Sequence, residues 1–424
     1  MRLDLPTRVV AGVCLVAIIA AVVAFKAAFA DTVSTDPLFA IYGIVVCGYI
    51  VSRFLLSLAY RPAKDAGLEP HVAIVMPAFN EQDAIGASLR SLLALDYPRE
   101  KLEIVAVDDG STDGTLAAIR ALDSDRVTVI ELACNQGKRA AMAAGIQATD
   151  AEIVAFVDSD STLEPDALRT LVQGFADPRV GAICGHADVL NVHETWLTKM
   201  QTVRYFVAFR VVKAAESLVG AVTCCSGCFS AYRRAAILPH LEWWTDQRFL
   251  GLPSTFGDDR SLTNCVLRDW RVHYEARARS RTIVPAHFRQ FMRQQLRWKR
   301  SWTRESLIVA RFIWRKHPIA AVSTYLATLL PLIAPVIAVR TGLVMPLVHG
   351  AGPPLVYFVG LYSMAVAYGL YYVATRPRYD PVWIFGIAFC AFYVCFMLWQ
   401  TYWAILTART TSWGTRPATA GADG

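Results

Sequence analysis

Apolar and polar positions divide the chain into three zones. Residues 9–25 and 38–58 are nearly unbroken apolar runs, each close to the roughly 20 residues a helix needs to cross a bilayer. Residues 319–339, 355–374 and 382–406 repeat that pattern near the other end. The pattern predicts two spans before a polar middle and at least three after it. In the middle, short β-branched runs at 71–76, 102–107, 127–132 and 153–157 read as strands. Segments of helical spacing lie between and beyond them, at 81–95 (Ile85, Leu89, Leu92 and Leu93 on one side), 114–122, 138–148 and 260–267. Such alternation predicts an α/β fold with a mainly parallel sheet. Ligands of such sheets bind beyond the carboxyl ends of the strands, where Asp108 and Asp158 fall.

The resulting organisation is two spans over 1–60, a globular domain over 61–285 and a basic aromatic segment over 286–318. Further spans over 319–408 and a tail over 409–424 complete it. Of the 424 residues, 55% are apolar and 18% charged, which excludes an ordinary soluble protein. Arg2, Arg8, Arg53 and Arg61 flank the first two spans, whereas the loop 27–37 carries no Lys or Arg. The positive-inside rule therefore puts the middle domain in the cytoplasm of a multi-pass plasma (inner) membrane protein. Ala28-Phe29-Ala30 has the form of a signal-peptidase site, but the apolar run before it is long for a signal peptide and reads as an uncleaved anchor.

The net charge of +7 is concentrated between Arg289 and Lys316. Beside a membrane such a cluster meets anionic lipid, and a nucleic-acid partner is set aside. The aromatics Phe291, Trp298, Trp302, Phe312 and Trp314 suit a helix lying in the interface. Among ten cysteines, the run Cys224-Cys225-Ser226-Gly227-Cys228 contains a Cys-x-x-Cys. It lacks a second pair at zinc spacing, so its cysteines read as small buried thiols.

The candidate chemistry is carried by acidic motifs and one aromatic motif. Asp158-Ser159-Asp160 follows a strand, and its carboxylates suit a hard divalent cation, Mg2+ or Mn2+. Asp108-Asp109 can accept hydrogen bonds from a nucleoside base and ribose. Asn135-Gln136-Gly137-Lys138-Arg139 opens a helix whose amides, with Lys138, can hold phosphate. Asp259, at the head of a predicted helix and flanked by Asp258 and Arg260, suits a general base acting on a hydroxyl. In Gln294-Gln295-Leu296-Arg297-Trp298, Arg297 offers a planar fork for phosphate and Trp298 a flat face for a sugar ring.

Together these residues resemble glycosyltransferase family 2, specifically its processive membrane-integrated synthases. The likeness runs from about Met76 to Trp302. Pro77 to Glu81 and Val107 to Asp113 look like that family's nucleotide-binding start. Asp158-Ser159-Asp160 looks like its metal motif, Asp259 like its base, and Gln294 to Trp298 like the processive signature. Gln247 to Gly251, Gly257 to Asn264, Ser226-Gly227 and Trp413-Gly414-Thr415-Arg416 are similar to hyaluronan synthases. Cys228 stands where those synthases usually have proline, and Thr195 to Lys199 and Cys224-Cys225 look more like chitooligosaccharide synthases.

The resemblance implies a Rossmann-like GT-A domain between membrane helices. Its donors are UDP-sugars (UDP-GlcNAc and, for hyaluronan, UDP-glucuronate) and its product a secreted polysaccharide. It also implies a nucleotide site with Asp108, Asp109, Lys138, Gln294 and Arg297, and an acceptor site with Ser226, Gly227, Gln295 and Trp298. Five spans would leave Trp413 outside, so either 341–348 or a re-entrant break within 382–406 is expected to add a crossing.

Overall fold

The computed structural model describes residues 36–122, 124–350, 355–375 and 380–411. The expected span at 9–25, the Ala28-Phe29-Ala30 site and Trp413 to Arg416 lie outside these residues.

Among the described residues there are ten strands: β1 Val72–Ala78, β2 Leu102–Asp108, β3 Val127–Glu131, β4 Ile153–Phe156, β5 Ser161–Leu163, β6 Val180–Val189, β7 Ser230–Arg233, β8 Arg248–Phe249, β9 Leu252–Pro253 and β10 Arg271–Thr282. Eight of them form one sheet in the order β3-β2-β1-β4-β7-β6-β10-β5, and β8 and β9 form a separate hairpin. β3, β2, β1 and β4 are parallel, as the alternating pattern predicts. β7 runs antiparallel between β4 and β6, and β5 runs antiparallel to β10, so the sheet as a whole is mixed. Local periodicity marks a strand but carries nothing about the direction of its neighbour.

The central strands are apolar throughout because both faces are covered. Ile74, Met76, Ile104 and Ala106 point to one face, where Ile85, Leu89 and Leu92 of the helix Ile85–Leu93 pack. Val75, Val105 and Val107 point to the other, against Ala141, Met142 and Ile146 of the helix Lys138–Gln147. With both faces filled, the polar residues at the carboxyl ends of β1, β2 and β4 are left on one rim.

Beyond the sheet, the helix Trp196–Phe206 starts with a capping box of Thr195 and Thr198. It continues through a π-helical turn, Val207–Lys213. The basic aromatic segment forms the helix Phe288–Ala310 and ends in the short turn Ile313–Arg315. Two described helices, Pro37–Ala59 and Pro318–Val348, are long and apolar enough to cross a membrane. Residues 341–348 prolong the second of these and do not form a separate crossing. Leu355–Ala374 is helical as expected. The run 382–406 is broken, with Pro381–Met397 and Gln400–Leu406 meeting at 43°. The break is clamped from the basic helix. Lys299 Nζ donates to the Met397 carbonyl and, at 3.1 Å, to Thr401 Oγ1, while Gln400 Nε2 donates to the Met292 carbonyl at 3.1 Å. The first of these bonds serves a backbone carbonyl that the break leaves open.

Candidate active site

A cavity of about 1410 Å3 opens where the sheet rim, the basic helix and the apolar helices after it meet. Asp109, Asp158, Asp160, Asp259, Arg297 and Trp298 all line it, as do Pro331, Tyr393 and Thr401 from the membrane segments. The sequence motifs thus converge on one space that also reaches the apolar helices.

At the end of β4, Lys138 forms an ion pair with Asp158. Burial alone lowers the Lys138 ammonium, but Asp158, Asp258 and Asp259 outweigh it and raise it above the ordinary lysine range. Asp160 accepts from Ser161 Oγ at 3.3 Å. Burial, then the charges of Asp158 and Glu81, push its carboxyl up to about 7. These crowded carboxylates form an anionic nest in which a divalent cation would be stabilised, and the Lys138 ammonium already rests on one of them. Among the described residues, no three His, Cys, Asp or Glu side chains form a closed metal cage. A two-carboxylate site leaves its remaining positions to water and phosphate, as magnesium sites commonly do.

Gly227 is required beside this nest. A Cβ there would lie 2.7 and 2.8 Å from the two Asp158 carboxylate oxygens. Its carbonyl also accepts from the Asp158 amide at 2.9 Å. The sequence reading gives Gly227 to the acceptor, whereas in the structure it abuts the metal motif. Ser226, read likewise as an acceptor residue, lines the cavity.

The two aspartates after β2 divide. Asp108 is buried and off the cavity wall, with Oδ2 accepting from the Ser111 amide at 3.1 Å. Asp109 faces the cavity, yet its carboxylate accepts from the amides of Gln136 and Gly137 at 2.8 and 2.9 Å. Those are the amides that the sequence reading offers to phosphate. A carboxylate of the protein itself thus satisfies two amides of the Asn135–Arg139 run.

Asp259 lies in the first turn of the helix Asp258–Asp269, where the helix dipole favours the carboxylate. Its Oδ1 accepts from the Arg260 amide at 2.9 Å, and Cys224 Sγ stands 3.9 Å from Oδ2. Burial, then Asp259, pushes that thiol up to about 12, so it stays protonated and able to donate. Asp258, which flanks Asp259, is engaged elsewhere. Its carboxylate turns to Arg139 Nε at 2.8 Å, while Arg139 Nη1 donates to the Trp244 carbonyl at 2.9 Å.

On the basic helix, Gln294, Arg297 and Trp298 line the cavity. Gln295 also lines it but is largely buried, and its Oε1 accepts from Arg204 Nη1 at 2.5 Å. Arg204 and Glu305 escape the sequence reading altogether, and Arg139 enters it only as the end of the Asn135–Arg139 run. Their one signal is a charged residue within an otherwise apolar or helical stretch, which is also the signature of an exposed residue. The described cysteines are free thiols.

Comparison with known proteins accords with this geometry. The glycosyl transferase family 2 pattern matches residues 73–238. A hyaluronan synthase from Streptococcus pyogenes is 35% identical over 292 residues, covering 67% of this chain and 69% of the relative. An N-acetylglucosaminyltransferase from Rhizobium meliloti is 35% identical over 303 residues, covering 69% and 70%. The fold is similar to that of a Pyrobaculum calidifontis mannosyltransferase solved with GDP-Man and Mn2+, with a TM-score of 0.56 and 22% identity over 88% of this chain and 97% of that one. The chain belongs to glycosyltransferase family 2, as a synthase of the type represented by hyaluronan synthase and the rhizobial N-acetylglucosaminyltransferase.

Proposed function

We propose that the protein polymerises UDP-sugars into a β-linked polysaccharide with inversion at each transfer and passes the growing chain into the membrane. The observation that carries this reading is the shared cavity. Asp158, Asp259, Arg297 and Trp298 border the same space as Pro331, Tyr393 and Thr401, so a sugar chain leaving the base has a path toward the membrane helices.

In this reading the acceptor hydroxyl attacks the anomeric carbon of the donor on the face opposite UDP. The new glycosidic bond forms as the bond to the diphosphate oxygen breaks, and Asp259 takes the hydroxyl proton. Arg260 and the Cys224 thiol hold the Asp259 carboxylate through its two oxygens. Lys138 and Arg297 take up charge from the departing diphosphate. A magnesium or manganese ion held by Asp158 and Asp160 would add positive charge at the same place. Asp108 and Asp109 support the nucleoside side of the donor, directly or by shaping the loop Gln136-Gly137. Trp298, backed by Gln294, Gln295 and Arg204, carries the acceptor sugar near Ser226.

The domain over 61–285 is cytoplasmic in this reading, with the protein multi-pass in the plasma membrane and its basic helix against anionic lipid. Relatives at equal identity act in hyaluronan synthesis and N-acetylglucosamine transfer, by their names, so two donor sets stand. Purified protein supplied with UDP-GlcNAc alone, UDP-glucuronate alone and both together separates them. High-mass polymer only with both donors supports the hyaluronan type. Polymer with UDP-GlcNAc alone supports the chitin type, and no polymer with any of the three overturns the proposal.

A further inference from the structure

Away from the reacting groups, a buried polar knot joins three segments. Glu305, near the end of the basic helix Phe288–Ala310, is almost wholly inaccessible and has no ion-pair partner within 4.0 Å among the described residues. Its Oε1 accepts from Gln247 Nε2 and its Oε2 from Asn264 Nδ2, both at 2.9 Å. Gln247 Oε1 in turn accepts from Ser261 Oγ at 2.9 Å. Asn264 and Ser261 belong to the helix Asp258–Asp269 that carries Asp259, and Gln247 begins the β8–β9 hairpin segment.

A buried carboxylate is costly unless its acceptor sites are filled. Here both oxygens are filled, each by a donor from a different segment. The neighbouring contacts lie on the same helical face. Arg304 Nη2 donates to the Phe256 carbonyl at 2.6 Å. At Gly257 (φ +84°) a Cβ would sit 1.9 Å from Ser301 Oγ, so the start of the Asp259 helix is pressed against the basic helix. Trp298 is seven residues before Glu305, roughly 10 Å along the same helix at 1.5 Å per residue.

We infer that Glu305 and Gln247 are positioning residues that hold the Asp259 helix in register with the Arg297–Trp298 helix. They thereby couple donor cleavage to attack by the acceptor rather than by water. This inference rests on the polymerase reading above, because it assigns the two helices to base and acceptor platform.

The test exchanges an amide and a carboxylate in full-length protein. Gln247→Glu sets a second carboxylate against Glu305. Adding Glu305→Gln restores the pattern with the same net charge. The carboxylate now on the hairpin side accepts from Ser261 and from the new amide, whose carbonyl accepts from Asn264. Misplacement of reacting groups by about 1 Å costs up to roughly 100-fold, so Gln247→Glu is expected to lower sugar incorporated per UDP released by about tenfold or more. UDP affinity, read by calorimetry, should stay within about twofold because the diphosphate groups are untouched. The double variant should recover coupling. Wild-type coupling in Gln247→Glu, no recovery in the double variant, or a parallel fall of incorporation and UDP release each overturns the inference while leaving polymer synthesis by the wild type in place. UDP release by the wild type without any sugar chain overturns the polymerase reading and this inference with it.

Discussion

The Arg204 guanidinium lies 5.4 Å from the centroid of the Trp298 ring while its Nη1 holds Gln295 Oε1 at 2.5 Å. One side chain therefore fixes both the ring and the neighbouring glutamine of the same helix. Cation–ring contacts are worth about 0.5–2 kcal/mol depending on desolvation, which is roughly 2- to 30-fold in a binding or rate constant. Arg204→Ala should weaken chain extension by an amount in that range. Trp298→Ala should weaken it further, and the two losses should not add in a double-mutant cycle. Additive losses would show that Arg204 does not act through the ring.

Asp259→Asn keeps the size and the helix start but removes the proton acceptor. Loss of a general base typically costs about 100- to 10,000-fold in turnover. UDP affinity should change little, since Asp259 contacts Cys224 and its own helix amide rather than Lys138. A well-folded variant that fails to bind UDP would instead place Asp259 in the nucleotide site.

Gly227→Ala drives a methyl group against both oxygens of Asp158. Metal-dependent UDP binding should fall, with turnover reduced by up to about 100-fold, as a displacement near 1 Å can cause. Asp160→Ala should abolish turnover without unfolding the protein. Chelation of divalent ions should stop the wild type, and magnesium or manganese should restore it. Unchanged activity after chelation removes the metal from the mechanism.

Arg139 and Asp258 form a buried pair at 2.8 Å that ties the helix Lys138–Gln147 to the Asp259 helix. Removing one partner strands a charge and typically costs about 3–5 kcal/mol. Arg139→Met and Asp258→Leu should each lower the thermal midpoint of the solubilised protein markedly, and the double variant should be more stable than either single. Equal or greater loss in the double variant would show that packing, not charge pairing, dominates there.

Much of this was legible in the sequence for a physical reason. A buried strand must be apolar, so the run Ile153–Phe156 ending at Asp158 announces both the strand and its polar rim. Asp259 at a helix start was equally visible, because acidic residues there match the dipole. What stayed hidden depends on partners far along the chain. Asp258 meets Arg139 across 119 positions and Gln295 meets Arg204 across 91, and no local spacing encodes either pair. Asp109 saturates the amides of Gln136 and Gly137 for the same reason. The 43° break in the last apolar run was a stated option, but its place after Met397 follows from Lys299 and Gln400 contacts with another helix.

Chain polymerisation through one continuous site is read out by product length at limiting enzyme. Purified protein in lipid nanodiscs, given excess radiolabelled donors and sampled within the first few per cent of conversion, should show high-mass polymer beside unreacted donor. Few intermediate lengths should appear, because each chain is retained between additions. A product of one sugar attached to a lipid carrier, or a ladder of short chains that lengthens only as donor is exhausted, would contradict it.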